Sequence, residues 1–347
     1  MVPVSSARLN WGVLSTGRIA RVFATALASS RTGRLVAVGS RTADAAAKFA
    51  ADYNGIRAHA SYAALLADPE VQVVYIGTPH DSHAELCIAA AKAGKHILCE
   101  KPLALSRAQA ARAVAAAREH GVFLMEAFMY RCHPQTAKVA ELVRGGAIGE
   151  LRLISAVFCF NRPVDPAMRL YNRALGGGAI LDIGCYPASI ARWVAGAAEG
   201  RAFAEPVEFL ATGRIHPVAR VDEQAAATLK FAGGAMAQLA CGTTTHKEIA
   251  VRIHGTDGQL FLPVPFHPGN LVEGPARIVL QRAGAPAEEI ACGPAADLYA
   301  IEADAVGDAI ARGEREVACM THADSLGNLA LLDRWRAAVG VRYDHED

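Results

Sequence analysis

The first third of the chain alternates between two periods, and few folds accommodate that alternation. Short apolar runs at Leu9–Leu14, Leu35–Val38, Val73–Ile76, His96–Leu98 and Val122–Met125 are separated by longer, alanine-rich stretches. Those stretches, near Ile19–Ala28, Ala43–Asp52, His83–Ala93 and Ser106–His120, repeat their apolar positions at helical spacing. A run of four to six apolar residues is the length of a strand, and a strand apolar throughout is buried on both faces. Helices inserted between successive strands of that kind give βαβ units, hence an α/β, doubly wound parallel sheet with right-handed crossovers.

After about Glu126 the rhythm changes. A helix is expected from Pro134 to Val143, stopped by Gly145-Gly146. Longer β-rich segments follow at Leu151–Phe160, Glu208–His216, Ala225–Phe231, Met236–Thr243 and Ile249–His254. Gly233-Gly234 between two of them signals a tight antiparallel hairpin. Helices are expected at Ala179–Val194, Leu298–Ala311 and Ala323–Ala338, and Pro263–Gly274 reads as a Pro/Gly-rich surface loop. The expected division is residues 1–126 as a dinucleotide-binding domain and 127–347 as an α+β substrate and oligomerisation domain with an open, mainly antiparallel sheet. A length of 347 residues suits two domains.

Composition narrows the function. Lys+Arg 35 against Asp+Glu 34 gives a net charge of +1, which offers no attraction for nucleic acid or an anionic membrane. No uninterrupted apolar run reaches the length of about 18 residues that spans a bilayer, and Met1 to Arg8 lack the layout of a secretory signal. The eight cysteines are scattered without a CxxC pair, a usage that suits a reducing compartment. A cytoplasmic protein is expected, with no metal: His80 and His83 stand three apart without a third ligand at a convincing spacing.

Four segments carry candidate chemistry. Gly12-Val-Leu-Ser15-Thr16-Gly17-Arg18-Ile19-Ala20 joins the first strand to the first helix, where helix amides and the positive dipole end can receive phosphates. Gly12, Ser15, Thr16, Gly17, Arg18 and Ile19 are the expected contacts, with Ser15 standing where the fingerprint places its first glycine. At the end of the second strand, Ser40 and Arg41 occupy the position where an NAD site carries Asp or Glu. A guanidinium and a hydroxyl suit a 2′-phosphate, so NADP is favoured over NAD. Thr78, Pro79, His80 and His83 follow the next strand and are expected to line the cofactor crevice. Glu100-Lys101-Pro102 leaves the following strand, Pro102 turning the chain so that Lys101 points from the strand ends.

The most unusual stretch is Gly176-Gly177-Gly178-Ala179-Ile180-Leu181-Asp182-Ile183-Gly184-Cys185-Tyr186-Pro187. Asp182 and Tyr186 share one face if the segment is helical, and Pro187 predicts a kink or restart. A phenol titrates near 10, so proton transfer at neutral pH needs a neighbouring cation.

Together these motifs resemble the Gfo/Idh/MocA oxidoreductase family, over essentially the whole chain. Besides the segments above, Tyr299-Ala-Ile-Glu302 contributes to the likeness. Trp11-Gly-x-x-Ser15 and Leu124-Met-Glu-Ala127 point to the branch containing dimeric dihydrodiol dehydrogenase and NADP-dependent xylose dehydrogenase. The resemblance implies an N-terminal Rossmann domain and a second domain whose open sheet commonly forms a dimer interface. It also implies hydride transfer between a sugar, polyol or cyclic diol and NADP. Lys101 matches the catalytic lysine, Asp182 the acid near the substrate, and Tyr186 the proton-exchanging group. Arg131 matches a position near the nicotinamide, and Asn161 and Arg162 are candidate substrate residues. Two other readings on the same fold are a glycosidase that retains its dinucleotide and a non-catalytic dinucleotide sensor.

Overall fold

A computed structural model describes residues 8–269, 276–293 and 297–343. They form two compact units, the first from residues 8–104, 108–129 and 297–322 and the second from 105–107, 130–269, 276–293 and 323–343.

In the first unit, strands β1 (Leu9–Leu14), β2 (Gly33–Gly39), β3 (Arg57–His59), β4 (Val73–Ile76), β5 (His96–Glu100) and β6 (Leu124–Ala127) form one sheet in the order β3-β2-β1-β4-β5-β6. Every pairing in it is parallel. Between the strands run α1 (Arg18–Ala26), α2 (Ala43–Ala50), α3 (Tyr62–Leu66), α4 (His83–Lys92) and α5 (Arg107–Glu119). This is the expected doubly wound sheet. Its order turns at β1/β4, the switch point where such sheets open a crevice at their strand C-termini. Trp11, Phe23 and Tyr75 are fully buried at its centre, the last two rings stacked at 3.9 Å.

The three-residue β3 and five-residue α3 escape a periodicity reading because neither completes a repeat. One late helix, α8 (Leu298–Ala311), also belongs here rather than to the second domain expected from the sequence. Asp304 on α8 accepts from Ser30 Oγ, at 2.7 Å, and from the Thr32 amide, at 2.9 Å. Periodicity shows that a segment is an amphipathic helix; it does not show which sheet the apolar side will cover.

The second unit holds β7 (Leu151–Asn161), β8 (Pro206–Ile215), β9 (Asp222–Phe231), β10 (Met236–Gly242), β11 (Thr244–Gly255), β12 (Gly258–Leu262), β13 (Arg277–Arg282) and β14 (Glu288–Ala291). They form an eight-stranded sheet in the order β14-β13-β12-β11-β7-β10-β9-β8. It is antiparallel except at its centre, where β7 and β10 run parallel. Gly233-Gly234 makes the expected hairpin, Gly234 taking φ +89°. Helices α6 (Pro134–Arg144), α7 (Cys185–Ala198) and α9 (His322–Val339) complete the helical content, α7 packing on β7 and β10. The helical run over residues 173–198 is long and apolar enough to cross a membrane, yet 89% of its most apolar window is buried within the protein, as suits a core helix. The opposite sheet face alternates out of the core, leaving Leu210 and Met236 exposed.

Candidate active site

The dinucleotide fingerprint is built as a strand–turn–helix. Ser15 takes φ +118°, a conformation that favours glycine, and its Oγ accepts the Gly17 amide at 3.0 Å. The serine thus makes the turn in place of the fingerprint's first glycine and spends a lone pair bracing it, while its hydroxyl proton can still meet a phosphate. Gly17 has an ordinary φ of −71°, so its reason for being glycine is space. A Cβ there would meet only Ser15 Oγ, at 3.3 Å. Gly17 and Arg18 are exposed at the N-terminus of α1, which carries no side-chain cap. First-turn amides, a dipole end and an open approach fit a pyrophosphate. Thr16 and Ile19 flank this opening, half-buried. Gly12 is different: a Cβ there would come within 2.9–3.2 Å of Leu65 and Val71, so it is a packing glycine inside β1 rather than a ligand contact.

Ser40 and Arg41 follow β2. Ser40 is buried with its amide bonded to the His59 carbonyl; Arg41 is exposed and close enough to Tyr62 to pull that phenol down against the rise that burial causes. In the loop after β4, Ser82 Oγ donates to Pro79 O and pairs with Thr78 Oγ1, both at 2.8 Å. His83 is fully buried, its two ring nitrogens 2.8 and 2.9 Å from the Pro102 and Thr78 carbonyls. It fastens this loop to the Lys101-Pro102 turn instead of facing a ligand. His80 lies beside it, almost as deeply buried, with the rings 5.7 Å apart.

Lys101 leaves β5 through a cis peptide to Pro102 and is half-buried. Glu100 turns inward. Its carboxylate accepts from Tyr75 Oη at 2.5 Å and from the Lys101 amide at 3.2 Å, so it holds the backbone on which Lys101 stands. Glu126, at the middle of Leu124–Ala127, accepts the Leu103 amide at 2.9 Å and fixes the other side of the same turn. Behind them lie Tyr299 and Glu302 on α8. Burial and the Glu100 charge push the Glu302 carboxyl far up, favouring its neutral form.

In the second unit a π-helical turn, Ile180–Gly184, runs directly into α7. Pro187 falls in the first turn of α7, where its missing amide is tolerated; the expected kink takes the form of the π turn before it. Asp182 is 8% exposed, and Arg169 Nη2 donates to its Oδ1 at 2.7 Å. Tyr186 is 3% exposed. Its ring lies 5.1 Å from Phe266, 5.4 Å from Phe158, 6.1 Å from Tyr130 and 6.3 Å from His267. Phe266 and His267 sit in the loop expected at the surface; residues 264–266 are in fact buried, and residues 270–274 lie outside the described ones. Burial pushes the Tyr130 phenol up to about 12, so it stays neutral beside Tyr186.

Arg131 is spent elsewhere. It is buried, donating to Asp324 at 2.7 Å and to Ser189 Oγ at 3.1 Å, while Arg192 donates to the same Asp324 at 2.6 Å. Its guanidinium is therefore structural in this geometry, not aimed at a nicotinamide. Asn161 and Arg162 are exposed where β7 ends, Arg162 lying 5.8 Å over the Phe160 ring. Arg169, on the loop that follows, is the arginine that reaches Asp182.

Comparison with known proteins decides what these parts belong to. Residues 9–128 match the model of an oxidoreductase family with an NAD-binding Rossmann fold, and residues 136–261 match the C-terminal domain of the same family, Gfo/Idh/MocA. The chain belongs to the Gfo/Idh/MocA oxidoreductase family. It is 32% identical to mouse (Mus musculus) trans-1,2-dihydrobenzene-1,2-diol dehydrogenase over 97% of this chain and 99% of that one. An uncharacterized oxidoreductase of Rhizobium meliloti is 36% identical over 88% and 90% of the two chains. Among solved structures, a 3-ketoreductase from Actinomadura kijaniata in complex with NADP and TDP-benzene superposes with a TM-score of 0.84, at 33% identity over 96% of this chain and 98% of that one. An aldose-aldose oxidoreductase from Caulobacter crescentus gives the same TM-score at 25% identity, over 96% and 98% of the chains. As a Gfo/Idh/MocA member the chain is an NAD(P)-dependent oxidoreductase. Arg169, Phe266 and His267 carry no motif of their own. A charged residue in an irregular loop and a Pro-rich segment give no periodic signal, so sequence reasoning had nothing by which to place them beside Asp182 and Tyr186.

Proposed function

We propose that this protein is an NADP-dependent dehydrogenase that oxidises or forms a hydroxyl-bearing carbon of a sugar, polyol or cyclic diol. Tyr186 exchanges the hydroxyl proton and Lys101 is its electrostatic partner. NADP, when bound, supplies or accepts the hydride at nicotinamide C4. The opening at Ser15–Ile19 would hold its pyrophosphate, and Arg41 with Ser40 its 2′-phosphate. In the oxidative direction the substrate O–H proton passes to the Tyr186 phenolate oxygen while the C–H bond breaks with its electron pair. A cationic Lys101 favours that phenolate and orients the reacting hydroxyl. Asp182, tied to Arg169, would accept from a neighbouring hydroxyl, and the aromatic wall around Tyr186 would exclude water and stack on a ring face.

The observation that carries this reading is Tyr186 itself, a nearly buried phenol in an aromatic shell, one helical turn from a paired carboxylate. The Actinomadura ketoreductase, which was also solved with a tyrosine changed to phenylalanine and with a lysine changed to alanine, supports it. Scattered cysteines without a CxxC pair suit a reducing cytoplasm. The open sheet face suits a homodimer or higher homo-oligomer.

The test is turnover of aldoses, polyols and trans-dihydrodiols, followed as NADPH absorbance. Tyr186→Phe keeps the ring and loses the proton, so turnover should fall by about 10²–10⁴ while NADP affinity holds. Lys101→Met should cost a comparable factor, and the double variant little more, because the two act as a unit. Near-normal turnover in Tyr186→Phe would reject the assignment.

A further inference from the structure

The helix that carries Asp182 and Tyr186 has no cap from its own preceding residues. Its first free amide is met from across the unit, by Asp222 at the start of β9. Asp222 Oδ2 accepts the Ile180 amide at 2.6 Å. The side chain is completely buried, and its other oxygen, Oδ1, has no hydrogen-bond partner among the described residues. One glycine in front of the helix borders this carboxylate directly. Gly178 takes φ +120°, and a Cβ on it would stand 2.3 Å from Asp222 Oδ1; on Gly177 a Cβ would strike the carbonyls of Arg169 and Leu170 at 2.7–2.8 Å. Tyr343 Oη donates to the Gly177 carbonyl at 2.5 Å and closes the turn from the other side. Gly178 thus lets a buried acid sit against the start of the helix, and Gly177 lets the preceding turn pass close to the 169–170 backbone.

We propose that Asp222 is a positioning residue for the Asp182–Tyr186 pair: its carboxylate anchors the start of the helix bearing both, and protonation of that carboxylate loosens the anchor. The anion makes a charge-assisted bond to the Ile180 amide and complements the positive end of the helix dipole; the neutral acid does both more weakly. Asp182 is two residues beyond that bond and Tyr186 one helical turn further, so a change at Ile180 is delivered along a continuous helix.

The groups around Asp222 leave this proton balanced near neutrality. Burial raises the carboxyl, while the amides of Ile180, Asp222 and Ala179 and the Arg336 guanidinium on α9 pull it down, leaving it at about 7. Tyr343 lies on the glycine side. On the sheet side stands Cys241 of β10, whose thiol is pushed far up by burial and further by the neighbouring Asp222, Cys159 and Cys185. Asp182, on the same helix, is held by Arg169.

This inference rests on the proposed reaction only for its meaning, so the test includes a readout that does not need turnover. In protein labelled with ¹³Cζ-tyrosine, the Tyr186 signal is assigned by its loss in Tyr186→Phe and followed from pH 5.5 to 8.5. The wild type should show a step with a midpoint near 7, and Asp222→Asn, which keeps an acceptor for the Ile180 amide, should show none. In turnover assays kcat of the wild type should fall by about tenfold from pH 8 to pH 6, the scale of one charge-assisted bond. The Asn variant should be nearly flat over that range, with KM for NADP unchanged. A step that persists in Asp222→Asn, or a wild type with no step, overturns the proposal; the second result decides even if the variant does not fold. A step that depends on Asp222 in a protein that turns over none of the substrates would uphold the positioning role and reject the reaction.

Discussion

On the proposed reading, a single guanidinium at position 41 sets the choice between two cofactors that differ by one phosphate. Arg41 is exposed at the end of β2, where a carboxylate would repel a 2′-phosphate. A charge-assisted contact is worth about 1.5–3 kcal/mol, or more than tenfold in affinity. Arg41→Ala should therefore lose NADP binding by at least about tenfold and leave NAD binding nearly unchanged. Titration of both dinucleotides into wild type and variant checks this, and equal affinity of the wild type for the two would refute it. Residues of this kind were legible because their meaning follows from chain position: strand end, glycine turn, helix start. Ser15 was legible as well, since a serine at a glycine position either strains or fails, and φ +118° shows that it strains. His83, Glu100 and Arg131 were legible only as polar residues near a motif. Whether a buried polar side chain faces a ligand or a backbone carbonyl depends on partners distant in sequence, and each of these three is held by such a partner.

Elements were readable in proportion to their length and periodicity. The apolar strands of the first sheet and the long helices announce themselves, whereas β3 and α3 are too short to repeat and β13 and β14 mix charged with apolar residues, at Arg277, Arg282, Glu288 and Glu289. Element contacts, by contrast, depend on charge networks that no local pattern records. The N-terminal end of α9 provides a case. Asp324 pairs with Arg131 and Arg192, and the three side chains are at most 2% exposed. Gly327, one turn along α9, leaves room for the Arg192 guanidinium, since a Cβ there would stand 2.1 Å from its Nη2. Removing the shared acid takes an anion from two buried cations, although Arg192 keeps its pair with Glu205, and breaking a buried pair costs about 3–5 kcal/mol. Asp324→Ala should lower the melting temperature by roughly 10 °C, at about 2–4 °C per kcal/mol for a unit of this size. A calorimetric loss below about 1 kcal/mol would show that solvent or relaxation replaces the network.

For the molecule as a whole, the second sheet poses the remaining question of what covers its outer face. Leu210 is 75% exposed, beside Ala226, Thr228 and Gln238 on a shallow groove. Apolar surface of this kind marks an association site, and a symmetric pair would bury the same patch twice. Sedimentation at micromolar concentration should show a particle of at least twice the 36.5 kDa chain, and Leu210→Asp should shift it toward the single chain. A wild-type sample sedimenting only as a single chain would refute the assembly. Connectivity carries a different consequence, for how the protein is made. The first unit closes only when residues 297–322 return to it, and Ala303, Val306 and Ala309 of that segment are fully buried. A ribosome adding about 5–20 residues per second needs roughly 10–30 s to travel from residue 129 to residue 297. Throughout that interval the nascent sheet is finished and its last helix is missing, so an apolar slot stands open to the chaperones at the tunnel exit.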